Sequence, residues 1–201
     1  VVTQENVLCA VVYRAGAAVG YMLYSLTDGT FKVQELLAQD AAVKNRLLQY
    51  AAGHRSEAQE LCWLAEPWDK TYLGFADQAL TGRLQPFMMA RCLDARLALA
   101  KLPVAASMSS GSVVVLLTDK MIERNNHLLQ LRTSPGKLEA VSTLEREEVT
   151  MDMGAFTQLY FGAFSATELW EAGRIKCSDV RKLQLLDELF PKCRTYNNEY
   201  F

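Results

Sequence analysis

GYMLYSLTDGTFKVQELLAQDAAVKNRLLQYAAG, residues 20–53, changes its apolar period halfway along. In the first part, Tyr21, Leu23 and Ser25 point one way with the preceding Val19. Gly20, Met22, Tyr24 and Leu26 point the other way, the period of two that marks a strand. Thr27-Asp28-Gly29 interrupts the run with hairpin chemistry, because Asp-Gly tolerates the positive φ of a tight turn. FKVQELLA then resumes as a second strand. From Asp40 the spacing is helical. Asp40 is a candidate N-cap, Val43, Leu47, Tyr50 and Ala51 form an apolar stripe, and Gly53 stands where a left-handed C-terminal cap would end the helix.

Working outward, NVLCAVVYR precedes this stretch across the turn Ala15-Gly16, and ELCWLAE follows it and is closed by Pro67. The order is β-β-β-α-β, with strands near 7–14, 18–26, 31–38 and 60–66. The helix is a crossover into a parallel pair. Residues 70–85, mixed in character and with two glycines, form a junction. A second αβ block follows it. PFMMARCL reads as a strand, and Asp94 caps a short helix, ARLALAKL, that stops at Pro103. SVVVLLTD is a strand. HLLQLRT and LEAVSTLE pair across Ser134-Pro135-Gly136-Lys137. VTMDM is a short strand and AFTQLYFGAF is helical. Ser165 and Glu168 form a capping box for ATELWEA, which Gly173 ends. The last helix, DVRKLQLLDELF, puts Val180, Leu183, Leu186 and Leu189 or Phe190 on one face before Pro191. The predicted class is α+β: a mixed sheet with a crossover helix in residues 1–80, then an α/β domain in residues 85–201.

Of the 201 residues, 50% are hydrophobic and 22% charged, enough apolar material for a sizeable core. A formal net charge of -2 supplies no basic field for nucleic acid or an anionic membrane, so neither partner is expected. No apolar run reaches the roughly 18 residues of a membrane span. Cys9, Cys62 and Cys92 sit in apolar runs like buried free thiols, and with Cys177 and Cys193 they make an odd set without CxxC spacing. A reducing, cytoplasmic location follows. Five cysteines and two scattered histidines form no zinc pattern, so no metal is expected. His54 and His127 read as cap or surface residues, and Glu145, Glu147 and Glu148 as a solvated charge run. The chain starts with valine, which suggests processing or truncation.

QPFMMARCLDARLALAKL, then a strand, a hairpin and MDMGAFTQLYFGAFSATELWEAGRIK, resembles the sterol-carrier-like C-terminal domain of the Eis (enhanced intracellular survival) acetyltransferases. The resemblance rests on Arg91-Cys-Leu-Asp94, Leu159-Tyr-Phe-Gly162 and Ala172-Gly-Arg174, in order over residues 85–201. The first block is similar to the second half of that family's central GNAT-type domain. The resemblance implies the C-terminal half of a longer N-acetyltransferase, whose missing N-terminal GNAT domain binds acetyl-CoA and supplies a tyrosine acid. An amine substrate and a homo-oligomer come with it. A GNAT domain holds the cofactor pyrophosphate at a glycine-containing loop that opens a helix. Here that segment is ELLAQDAAVKNRLL, without glycine and with Asp40 at the helix start. The central domain is therefore expected to hold no cofactor.

In the resembling family the chain's terminal carboxylate is the general base. TYNNEYF places Tyr196, Tyr200 and Phe201 at the end of this chain, and the resemblance makes the Phe201 carboxylate the candidate catalytic group. Aromatic neighbours would anchor and partly desolvate it. The alternative is that these rings only pack the tail. A different function is also open, a sterol-carrier-like module that binds an apolar ligand or serves structure and oligomerisation. Met88, Met89, Met108, Met121, Met151 and Met153 all lie in the second block, and methionine adapts to irregular ligands as readily as it fills cores.

Overall fold

The computed structural model describes residues 6–74, 80–83 and 89–195, and the chain divides into two units, Val1–Thr81 and Gly82–Phe201. In the first unit, β1 (Leu8–Arg14), β2 (Ala17–Thr27), β3 (Thr30–Ala38) and β4 (Glu60–Trp63) form one sheet in that order. The first two pairings are antiparallel, and β3 pairs with β4 in parallel through the crossover helix α1 (Ala41–Ala52). Ala15, Gly16, Asp28 and Gly29 take the positive φ that both hairpin turns require.

Leu47 and Ala51 of α1 pack with Met22, Tyr24, Phe31 and Val33 in one core, and Val43 is buried one turn earlier. The closest approach is at Gly20, where a Cβ would lie 2.5 Å from Val43 Cγ1 and 2.8 Å from the Leu37 carbonyl oxygen. Tyr24 stacks on Phe31 with centroids 4.5 Å apart and shares a 2.7 Å hydrogen bond with Tyr50. Burial, then that hydrogen bond, pushes the Tyr24 phenol up to about 12. Two expectations for α1 need correction. Gly53 has φ -64 and continues the helical turn, its amide reaching the Gln49 and Tyr50 carbonyls. Tyr50 is 44% exposed at the edge of the stripe.

The opposite face of this sheet has no helix among the described residues. Val11, Tyr21 and Leu37 lie in one row across three strands, and Val11, Leu37 and the neighbouring Tyr13 are exposed. Cys9 and Cys62 are exposed, contrary to the buried thiols expected, whereas Cys92 is buried.

The second unit has a five-stranded sheet of order β7-β6-β5-β8-β9. Its strands are β5 (Gly111–Thr118), β6 (His127–Ser134), β7 (Lys137–Ser142), β8 (Val149–Asp152) and β9 (Ile175–Cys177). Only β5 and β8 run parallel. Four helices accompany it: α2 (Ala95–Lys101), α3 (Met153–Tyr160), α4 (Ala166–Glu171) and α5 (Val180–Leu189). Val113, Val115 and Leu117 of β5 share one core with Leu99, Phe156, Leu159, Leu183, Leu186 and Phe190. The capping box of Ser165 and Glu168 forms, and Gly173 turns left-handed at φ 71. Val180, assigned to the buried face of α5, is 53% exposed, because it stands on the first turn beyond the core contact. The three-residue strand β9 was too short to show a period.

The strand expected in PFMMARCL does not form among residues 89–94. Its backbone has side chains for partners instead of a sheet edge. The Cys92 amide donates to Thr157 Oγ1 at 3.0 Å, and the Ala95 amide to Asn125 Oδ1 at 3.2 Å. Asn125, fully buried, donates to the Leu93 carbonyl and to Asp119. Asp119, its side chain only 1% exposed, also accepts from Arg91 Nη2 at 2.5 Å and from the Met121 and Ile122 amides. Glu148 likewise leaves the solvated charge run. It accepts from the Val114 amide at 2.9 Å and pairs with Lys182 at 3.0 Å, joining β5 to α5.

No helix among the described residues is long and apolar enough to cross a membrane, and none of their acidic, histidine and cysteine side chains group to hold a metal ion.

Two predictions follow from these contacts. Gly20→Ala forces a methyl between α1 and β3, and should destabilise the first unit by about 1–3 kcal/mol in urea unfolding; an unchanged midpoint would contradict the close approach. The second concerns acid. Hydrogen bonds led by that of Asn125 hold Asp119 down to about 2. In the first unit burial raises Asp69, but Thr71, Lys44 and Trp63 outweigh it and hold it to about 2. Both folded values lie below the ordinary carboxylate value of about 3.9. Their stabilisation is therefore complete above that pH and disappears as pH falls toward 2. Asp119→Asn should lower Tm at neutral pH and flatten its fall between about pH 4 and pH 2. An unaltered acid limb would remove Asp119 from this role.

Candidate functional site

Phe201, Tyr196 and Tyr200 lie outside the described residues, so the candidate base is approached through the segment that leads to it. That segment begins at Phe190, which is buried and meets Phe156 edge-on with centroids 6.2 Å apart. Pro191 ends α5 and the chain then crosses the C-terminal end of α3. The Cys193 amide donates to the Gly162 carbonyl at 2.8 Å, and Thr195 Oγ1 donates to the Phe161 carbonyl at 2.7 Å. Lys192 pairs with Glu168 of α4 at 2.5 Å, which holds that carboxylate below its usual range. The carbonyls taken up here are ones that a helix end leaves without intrahelical donors. The chain is thus anchored up to its last described residue, six positions before Phe201.

The second candidate place is the start of α1, where a GNAT domain would meet a cofactor pyrophosphate. Asp40 occupies it. Its side chain accepts from the Val43 amide at 2.9 Å, and its other oxygen pairs with Arg14 Nη1 at 2.9 Å. The Arg14 hydrogen bond, then that of Val43, lowers the Asp40 pKa, so the carboxylate is ionised at neutral pH. An anion arriving at this helix end would find a negative charge and an amide already engaged. These residues do not fit a pyrophosphate.

The third is the interior of the second unit. Its core holds a void of about 10 Å³, lined by apolar side chains that include Leu99, Leu117, Phe156 and Phe190. That is about one water molecule's room, where pockets for small ligands measure roughly 300–1,000 Å³. Of the described methionines, Met151 alone lines it. Met108, Met151 and Met153 are buried, Met89 and Met121 are largely exposed, and Met88 lies outside the described residues.

The histidines have other neighbours. His54 packs beside Tyr50 and Phe31, and His127 opens β6 with its pKa lowered by burial and then by Arg96. Sequence reasoning missed the tie of residues 91–95 to Asp119 and Asn125, and the crossing over Gly162. A glycine directly after a helix was the available signal for the latter.

Comparison with known proteins follows this division. The sterol carrier protein domain family matches residues 95–198, and the acetyltransferase (GNAT) domain family matches residues 2–97. A probable N-acyltransferase of Enterococcus faecalis V583, described as a conserved protein of unknown function, is 23% identical with a TM-score of 0.78; the match covers 92% of this chain and 48% of that one. A GCN5-related N-acetyltransferase of Anabaena variabilis is 17% identical, TM-score 0.78, over 100% of this chain and 52% of that one. Eis1 of Mycobacterium abscessus is 19% identical, TM-score 0.67, over 98% and 52%. At these identities the likeness establishes the fold, and the chain spans about half the length of these structures. No curated protein matches the chain. Residues 95–198 amount to just over half of the sequence, and through them the chain belongs to the sterol carrier protein domain family, while residues 2–97 are similar to the acetyltransferase (GNAT) domain family.

Proposed function

We propose that these residues serve as the C-terminal portion of an acetyl-CoA-dependent N-acetyltransferase of the Eis type, and that the Phe201 carboxylate is its general base. The observation that carries this reading is the anchoring of the chain up to Thr195 on the end of α3. A carboxylate held at a fixed place can take the proton that an amine loses on acylation, whereas one on a loose tail cannot do so efficiently. The acceptor would be a primary amine of a small molecule or peptide.

The acetyl donor would be held by an N-terminal GNAT domain, since the start of α1 is closed by Asp40 and Arg14. The apolar row of Val11, Tyr21 and Leu37 is a surface suited to cover by that part of the protein. In this reading the protein is cytoplasmic and assembles as a homo-oligomer. A lipid-carrier role gains no support from a core whose void has room for about one water molecule.

One added residue tests the base. A glycine appended after Phe201 moves the carboxylate by roughly 3.5 Å, out of reach of an amine proton. In the full-length enzyme kcat should fall by about 10²-fold or more, the usual worth of such assistance, with acetyl-CoA affinity nearly unchanged. Phe201→Leu keeps the carboxylate and should cost less. Full kcat in the extended protein would reduce the tail to packing.

A further inference from the structure

Gly162 has φ +65, and a Cβ built on it would lie 2.7 Å from the Cys193 nitrogen and 2.8 Å from the Pro191 carbonyl oxygen. The glycine is thus needed twice, for its left-handed backbone and for the chain that runs directly over it. Gly173 offers an internal comparison. It has φ +71, yet nothing lies within 4 Å of where its Cβ would be. The two glycines share a conformation, and only one is crossed by another segment.

The crossing segment is held at four successive points. Phe190 is buried against Phe156, Lys192 pairs with Glu168, the Cys193 amide bonds the Gly162 carbonyl, and Thr195 Oγ1 bonds the Phe161 carbonyl. The last two bonds fall on the cap carbonyls of α3, a helix fixed at its other end by the Asp152 cap on the Ala155 amide. The course of the chain at Thr195 is therefore set by a rigid element and not by the tail.

We infer that Pro191–Thr195 is a clamp, latched over the side-chain-free Gly162, that aims the C-terminal residues, and that Gly162 and Thr195 are positioning residues for the terminal carboxylate. The inference rests on the general-base role proposed above for Phe201. Neither residue touches a reacting atom. Each acts by fixing the course of the chain at Thr195. Thr195→Val removes the donor to the Phe161 carbonyl at nearly constant shape, and Thr195→Ser retains it. Gly162→Ala pushes the crossing segment off α3. Gly173→Ala imposes the same backbone penalty without disturbing the crossing.

The test compares these four variants and the glycine-extended protein, all full length, by steady-state kinetics and amide hydrogen exchange. Gly162→Ala and Thr195→Val should lower kcat by about 10–10²-fold, the scale of an ångström's misplacement, with KM for acetyl-CoA unchanged. Thr195→Ser and Gly173→Ala should keep kcat, although Gly173→Ala lowers Tm. The Cys193 amide should be protected from exchange in the parent and lose that protection in Gly162→Ala. If the extension abolishes turnover while Gly162→Ala and Thr195→Val match their controls, the clamp does not position the base and the inference is overturned. Unprotected exchange at Cys193 in the parent would overturn it also. Full kcat in the extended protein would instead sink the general-base reading, and this inference with it.

Discussion

In the second unit, the end of α3 has to accept a crossing chain. Phe161 and Gly162 must offer their carbonyls outward, and Gly162 must lack a side chain, so that the chain leaving α5 can cross them. The same helix receives the segment that enters the domain, since Thr157 accepts the Cys92 amide while donating to the Met153 carbonyl. Entry and exit are thus tied to one short helix, which the core holds through Phe156 and Leu159. Burial of those side chains fixes the helix, and the helix holds both the segment around Cys92 and the segment that follows α5.

Electrostatics sets the role of the first unit. A helix N-terminus attracts anions through its free amides and its dipole. At α1 the protein's own carboxylate takes that place, and Arg14 neutralises it from β1. The acetyltransferase-type fold depends on the packing of Leu47 and Ala51 against Met22 and Phe31, which does not involve the loop. The architecture and the anion site are separable, and Asp40 with Arg14 occupies the place where that site would form.

The sequence carried the fold where local signals agreed. The hairpin at Asp28-Gly29, the Asp40 and Asp94 caps and the Ser165-Glu168 box all formed, because each is settled by neighbours within a few residues. It misled where the decisive contact is distant. Residues 89–93 include strand-like types, but the Cys92 amide meets Thr157 and the Leu93 carbonyl meets Asn125, and no ladder forms there. Cys9 looked buried because apolar neighbours surround it in sequence, yet it faces the side of the sheet without a helix. Gly162 stood out as part of a motif, while its reason, a segment arriving from beyond Pro191, has no local signature. The candidate site was legible only through family resemblance, and Phe201 itself lies outside the described residues.

In the proposed function, this chain positions a base and leaves the acetyl donor to other residues. Calorimetric titration of acetyl-CoA into the 201-residue chain measures that division directly. No saturable heat is expected at micromolar cofactor, because the Asp40–Arg14 pair occupies the helix start where the pyrophosphate would bind. A micromolar dissociation constant with one site per chain would contradict it.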